Sequence, residues 1–134
     1  MIKDLPENLV EGIGVAVILD SQNPEETFWQ VYLLNFKSET IFNILVRSKG
    51  YGVINEKQVN TSTLRHAIPQ LEAHEFARIE AIDQQVFGLN NEYWVSYYLH
   101  DILYDKKFIF LPESIVEENM IRIPLLNKVG VMIA

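Results

Sequence analysis

Between residues 92 and 100 the chain reads EYWVSYYLH, where Tyr93, Val95, Tyr97 and Leu99 alternate with Trp94, Ser96, Tyr98 and His100. A repeat of two is that of a β-strand, whose successive side chains point to opposite faces of a sheet. The same alternation recurs in GVAVILD (14–20), FWQVYLLNF (28–36), TIFNILVRSKG (40–50), EFARIEAI (75–82), YDKKFIFL (104–111), MIRIPLL (120–126) and VGVMI (129–133). Turn residues separate these runs, among them the polar break 21–27 with Asn23-Pro24 and the group Gly88, Asn90, Asn91. Asp101 to Leu103 is short enough to close 92–100 and 104–111 into a hairpin. Leu64, Ala67, Ile68 and Leu71 fall at helical spacing, but Pro69 removes an N–H donor and pushes Ile68 toward extended geometry. Residues 61–68 are therefore read as a strand and 69–74 as a connection. Short strands with regular turn signals and no sustained helical period belong to sandwiches or closed barrels. The expectation is a single all-β domain over 1–134, a mainly antiparallel sandwich of about eight strands with at most short helical turns.

The alternation also assigns faces. Phe28, Gln30, Tyr32 and Leu34 oppose Trp29, Val31 and Leu33; Phe42, Ile44, Val46 and Ser48 oppose Ile41, Asn43, Leu45 and Arg47. Aromatic residues on both faces of 92–100 call for a central position in a sheet.

Composition narrows the function. With 134 residues, 49% of them hydrophobic, the chain is long enough for a core of its own. It has no cysteine, which removes disulfides and thiolate metal sites. The N-terminal MIKDLPENLVEG is acidic and broken by Pro6, unlike a signal peptide, and the longest apolar run, Val15 to Leu19, falls far short of the roughly 20 residues of a membrane span. These features predict a cytoplasmic protein without membrane association. The net charge of −7 argues against non-specific affinity for nucleic acid. Charge is unevenly spread, however. Residues 37–66 hold five basic groups (Lys37, Arg47, Lys49, Lys57, Arg65) against Glu39 and Glu56, a balance of +3, which leaves −10 for the remainder.

No local motif asks for catalysis or a cofactor. SKGYG (48–52) lacks the spacing of a phosphate-binding glycine loop, and no helix follows it. In TSTLRH (61–66), Ser62 or Thr63 with His66 would need a strained, exposed nucleophile and an oriented base, and no G-x-S-x-G elbow is present. His66, His74 and His100, the last near Asp101 and Asp105, show no metal-ligand spacing. The acidic pairs Glu25-Glu26 and Glu117-Glu118 read as loop residues. No catalytic residue, metal or cofactor is expected.

WQVYLLN, NILVRSKGYG, TSTLRH, LNNEYWVSY, LYDKKFIF and IPLLNKVGVMI together resemble a small, uncharacterised bacterial family of about this length, over nearly the whole chain. Some of its members carry the label of a phenylalanyl-tRNA synthetase alpha subunit. The sequence has neither the ATP-binding motifs nor the tRNA-binding coiled coil that such an activity requires. More distantly, the order of elements resembles the Smr-associated β-sandwich that precedes a nuclease-type Smr domain. That resemblance implies a sandwich and an accessory role, and it transfers no functional residue.

Two uses of the surface follow. The first is a non-enzymatic interaction module that self-associates as a homodimer or binds a protein partner, with Tyr93, Trp94, Tyr97 and Tyr98 as interface candidates. The second, less favoured at this net charge, is an anion- or RNA-binding module using Arg47, Lys49, Tyr51, Arg65 and His66. The plain alternative for the basic groups is solvent-facing strand residues paired with acids that block edge pairing, a role that suits Lys106 and Lys107 too.

Overall fold

The computed structural model describes residues 9–23 and 26–134, with side chains described for 9–20 and 29–134. The reading of the first residues as no signal peptide lies outside the described part, as does Glu25; Glu26, expected in a loop, begins a strand. Ten strands are found among the described residues: β1 (Ile13–Asn23), β2 (Glu26–Asn35), β3 (Ile41–Ile54), β4 (Lys57–Asn60), β5 (Leu64–Leu71), β6 (Phe76–Ile82), β7 (Asn90–Leu99), β8 (Ile102–Phe110), β9 (Ile121–Ile123) and β10 (Lys128–Ile133). Two single 3₁₀ turns, Gln84–Val86 and Glu117–Asn119, are the only helical segments among those residues. None is long and apolar enough to cross a membrane.

The strands form two antiparallel sheets. The first runs β6-β2-β1-β10-β9. The second runs β3-β7-β8, with β4 and β5 placed end to end along the other side of β3. The sheets face each other over a core of Val15, Val17, Val31 and Leu33 from the first, and Ile44, Val46, Tyr93, Val95, Tyr97 and Phe108 from the second. The sandwich follows from the alternation: each strand can bury one set of side chains only if a second sheet covers it. β7 lies between β3 and β8, the central place that its two aromatic faces demanded.

Part of the first sheet's outer face is buried as well. Ala16, Ile18, Leu34 and Ile123 are fully buried there, with Tyr32, Phe36, Leu126 and Met132 packed against them. The β9–β10 hairpin contributes Ile123, Leu126 and Met132 to this cluster. Gly130 admits it into the sheet, because a Cβ there would lie 2.3 Å from the Val17 carbonyl oxygen.

The structure corrects several local readings. The strand expected at 61–68 is Leu64–Leu71, so Pro69 lies inside it; β5 is an edge strand, where proline's missing donor is tolerated. β3 runs on to Ile54 and turns through Asn55 and Glu56, both at positive φ, into β4, a hairpin the alternation did not reveal. The β7–β8 turn is His100-Asp101, also at positive φ, rather than 101–103. MIRIPLL is strand only over Ile121–Ile123, since Pro124 ends it.

The most consequential correction is the face of Phe42. Asn43 takes φ 48°, and the pairing with β7 slips by one residue between Phe42 and Leu45. This β-bulge puts Ile41 in the core and Phe42, 45% exposed, on the outside.

Candidate functional site

Sheet pairing places the outward residues of β5, β3, β7 and β8 in rows. In one row Arg65 is opposite Arg47, Arg47 opposite Trp94, and Trp94 opposite Lys107. The Arg47 guanidinium carbon lies 3.8 Å from the Trp94 ring centroid and the Lys107 ammonium 4.7 Å from it. Because β3 and β8 flank β7, the indole stands between the two cations, each drawn to its electron-rich face. The ring is fixed further by its Nε1–H, which donates to Asp105 Oδ2 at 2.9 Å.

The next row carries Lys49 and Glu92. Their charged groups are 3.9 Å apart, and the Tyr51 hydroxyl donates to the other Glu92 oxygen at 3.4 Å. The Tyr51 phenol is held above its ordinary pKa, by desolvation first and then by the Glu92 charge beside it. Arg47, Lys49, Thr63, Arg65, Glu92 and Trp94 together line a pocket of about 150 Å³. In the other direction the same face turns apolar. Phe42 pairs with Tyr98 and Tyr98 with Leu103; with Leu45, all four are between 40% and 48% exposed.

Of the residues singled out in the sequence, Arg47, Lys49, Tyr51, Arg65, Trp94 and Tyr98 meet on this one face. His66 does not join them. It sits opposite Val46, whose side chain points into the core, so its ring turns toward the gap between the sheets. Tyr93 and Tyr97 are also removed from the surface, being 2% and 1% exposed, because the inward face of a central strand is core. Burial raises both phenols: Tyr97 is pushed up to about 12, and Tyr93 higher still, with Glu80 adding to the desolvation of Tyr93.

His66 belongs to a second polar cluster, at the mouth between the sheets. Glu80 Oε1 accepts from Ser48 Oγ at 2.7 Å and lies 2.7 Å from His66 Nε2, while Tyr93 donates to Oε2 at 3.4 Å. A cavity of about 230 Å³ adjoins it, lined in part by Thr61, Ser62 and Asn91. Glu80 on β6 thereby joins Ser48 of β3, His66 of β5 and Tyr93 of β7. The carboxylate, not the imidazole, holds the serine hydroxyl, whereas an activated serine needs the imidazole as its base. Ser62 lines this cavity and Thr63 the outer pocket, so the two hydroxyls of TSTLRH open onto different pockets. His100 pairs with Glu39. No set of three His, Asp or Glu side chains among the described residues is arranged to hold a metal ion.

Glu80 was missed in the sequence because a second bulge, at the β2–β6 register shift between Val31 and Tyr32, decides which way it points. Lys107 was read as edge protection; its place beside Trp94 depends on a cross-strand register that no local pattern contains.

Fold and site together define an all-β sandwich with one outer sheet face partly buried among its own side chains and the other presenting cations and aromatics. No family model, curated protein or solved structure matches the chain.

Proposed function

We propose that the chain is a non-catalytic interaction module whose recognition surface is the outer face of the β3-β5-β7-β8 sheet, and that it docks a protein segment carrying both acidic and apolar side chains. The observation that carries this reading is the row Arg65, Arg47, Trp94, Lys107 lying beside the apolar set Phe42, Leu45, Tyr98 and Leu103. Tryptophan, tyrosine and arginine are the residues on which interface energies concentrate. Charge complementarity supplies the acidic half of the partner: no carboxylate among the described residues forms an ion pair with Arg47, Arg65 or Lys107. In a chain of net charge −7, such a cluster steers an acidic partner to one place.

The reading favoured second is a single-stranded nucleic acid, supported by the convergence of Arg47, Lys49, Tyr51 and Arg65. Against it, the apolar half offers nothing to a phosphate backbone. The rings of Trp94 are also flanked by cations rather than open for a base to stack.

Random peptide display against the immobilised protein tests the proposal, with counter-selection on a doubly substituted Arg47→Glu/Trp94→Ala variant of confirmed fold. Enrichment of peptides that place acids beside apolar residues and lose binding to the variant is the expected result. Binders indifferent to the variant would overturn the assignment of the face. A monomer–dimer equilibrium abolished by Leu45→Asp in sedimentation would reassign it to self-association. Salt-sensitive oligouridylate binding lost in the double variant would reassign it to RNA.

A further inference from the structure

We infer that the pocket between β5 and β3 receives a phosphoryl dianion carried on a serine or threonine side chain of the partner protein. This rests on the outer face being a docking surface and specifies what that surface reads.

The first observation is the pairing of Arg47 with Arg65. Directly opposite residues on antiparallel neighbours bring their Cβ atoms to about 5 Å, and like charges at that position oppose sheet formation. Edge strands commonly carry charge to discourage further pairing, but that role is met by a single arginine. Two in register concentrate positive charge at one point, and among the described residues neither has a carboxylate partner.

The second observation is the charge of the pocket. Arg47, Lys49 and Arg65 supply three positive charges, and Glu92 one negative, so the lining has an excess of two. Glu92 is already engaged on one oxygen by Lys49 and on the other by Tyr51. A partner's carboxylate would cancel half of the excess. A phosphoryl group above its second pKa, about 6, cancels nearly all of it, and its three free oxygens match the donors of two guanidiniums and an ammonium. The Thr63 hydroxyl, on the same lining, adds a donor.

The third observation is rigidity. Arg47 is held against Trp94, and the indole is in turn fixed by Asp105, so one guanidinium is positioned before any ligand arrives. The apolar set beyond Trp94 would take the side chains that flank the phosphorylated residue. That is why the partner is read as a protein rather than as free phosphate.

The test follows the Trp94 indole N–H resonance in ¹H–¹⁵N spectra at about pH 7.5, where the phosphoryl group is a dianion. The probes are inorganic phosphate, a short peptide with one phosphoserine between leucines, its unphosphorylated counterpart and oligouridylate. The expected result is a saturable shift with phosphate and a roughly tenfold tighter one with the phosphopeptide, both weakened at least about tenfold in Arg65→Gln. Arg65 is exposed on an edge strand, so its replacement leaves the core untouched. A second readout is thermal: phosphate should raise the Tm of the wild type, and raise that of Arg65→Gln by clearly less at the same concentration.

Absence of a saturable shift with every phosphoryl probe would overturn the inference. Equal affinity for phosphate and phosphopeptide would overturn the partner's identity, and so would tighter binding of oligouridylate that depends on Arg65. If display-selected peptides dock at Trp94 while phosphoryl probes leave its resonance unmoved, the docking surface stands and the phosphoryl reading alone falls.

Discussion

Asn35→Asp changes one amide to a carboxyl at the point where the two sheets are tied together, and its cost can be worked from the geometry. Asn35 is fully buried at the end of β2. Its Nδ2 donates to the carbonyls of Glu39, Leu71 and Glu72 at 2.9, 3.1 and 3.1 Å, and its Oδ1 accepts from the Lys37 N–H at 3.0 Å. Leu71 ends β5, so this side chain joins the first sheet to an edge strand of the second. A carboxylate in the same place would set negative oxygen against three carbonyl oxygens, and the group must stay protonated for the fold to survive. With an unfolded-state pKa of about 3.9, holding it neutral at pH 7 costs about 4 kcal/mol. The remaining O–H serves one carbonyl where the amide served three, adding about 1 kcal/mol. The sign is fixed by linkage. Below about pH 4 both states are protonated and only the lost donor counts; above it the unfolded chain ionises and the native one does not. The assay is urea unfolding of wild type and variant from about pH 4.5 to 7.5, followed by tryptophan fluorescence, with the stability gap widening by about 1.4 kcal/mol per pH unit. A gap that stays flat, or lies below about 1 kcal/mol at pH 7, would refute the claim that this amide's donors hold the carbonyls.

Glu80→Ala leaves the buried Ser48 hydroxyl and the Tyr93 hydroxyl without their acceptor, and should lower the unfolding free energy by about 2–3 kcal/mol in chemical denaturation. Tyr93 and Tyr97 have native pKa values above the unfolded value of about 10, so their neutral forms contribute stability in full below that pH and lose it as pH rises past it. Denaturant midpoints should therefore fall from about pH 10 upward, and less steeply in Tyr97→Phe, whose phenol accounts for the range up to about 12. Gly130→Ala drives a Cβ against the Val17 carbonyl oxygen, a backbone atom that cannot step aside, and should cost at least about 1–3 kcal/mol by thermal or urea melting. At Asn43, whose φ of 48° suits asparagine or glycine, Asn43→Gly should be near neutral and Asn43→Val destabilising by about 1–2 kcal/mol, with weakened peptide binding at Phe42 as a second readout.

The sandwich was legible because alternation is a local property: Tyr93 to Leu99 and Val15 to Val17 display their buried sets within a few residues. Legibility stopped where phase changes. The bulge at Asn43 reverses the face of Phe42 without any break in hydrophobic pattern, and the irregularity in β6 does the same near Glu80. The basic segment was recognised as a cluster in sequence. Its geometry was not, because Arg47 meets Arg65 through the β3–β5 register and Trp94 through the β3–β7 register. His66, one residue from Arg65, fell on the other side of the sheet for the same reason: neighbours in a strand are opposed in space. Asn35 gave a weak signal, a polar residue inside VYLLNF, which an edge-to-core alternation absorbs without comment.

The two outer faces of the sandwich have the same origin but differ in where they place cations beside apolar residues, and that difference supports the proposed binding surface. Both belong to twisted antiparallel sheets whose strands carry apolar residues on their outward side. On the first sheet Ile123 and Leu126 of the β9–β10 hairpin pack with Ala16, Ile18 and Leu34, which buries part of that face, while Phe76 and Ile121 of the same sheet stay 45% and 52% exposed. On the second sheet the corresponding positions are Phe42, Leu45, Tyr98 and Leu103, each at least 40% exposed. Burying a side chain of this size from full exposure is worth about 1.5–3 kcal/mol, and at 40–48% exposure rather less than half of that remains to be gained by each of these four. The cations then decide what can use this gain. An apolar face alone would invite any hydrophobic surface, including another copy. With Arg47, Arg65 and Lys107 along one side, a partner that buries the apolar set must bring negative charge to the same place or strand three cations without counter-charge. On the proposed reading, specificity would come from the row around Trp94, and affinity from the apolar set that the bulge completes by turning Phe42 outward.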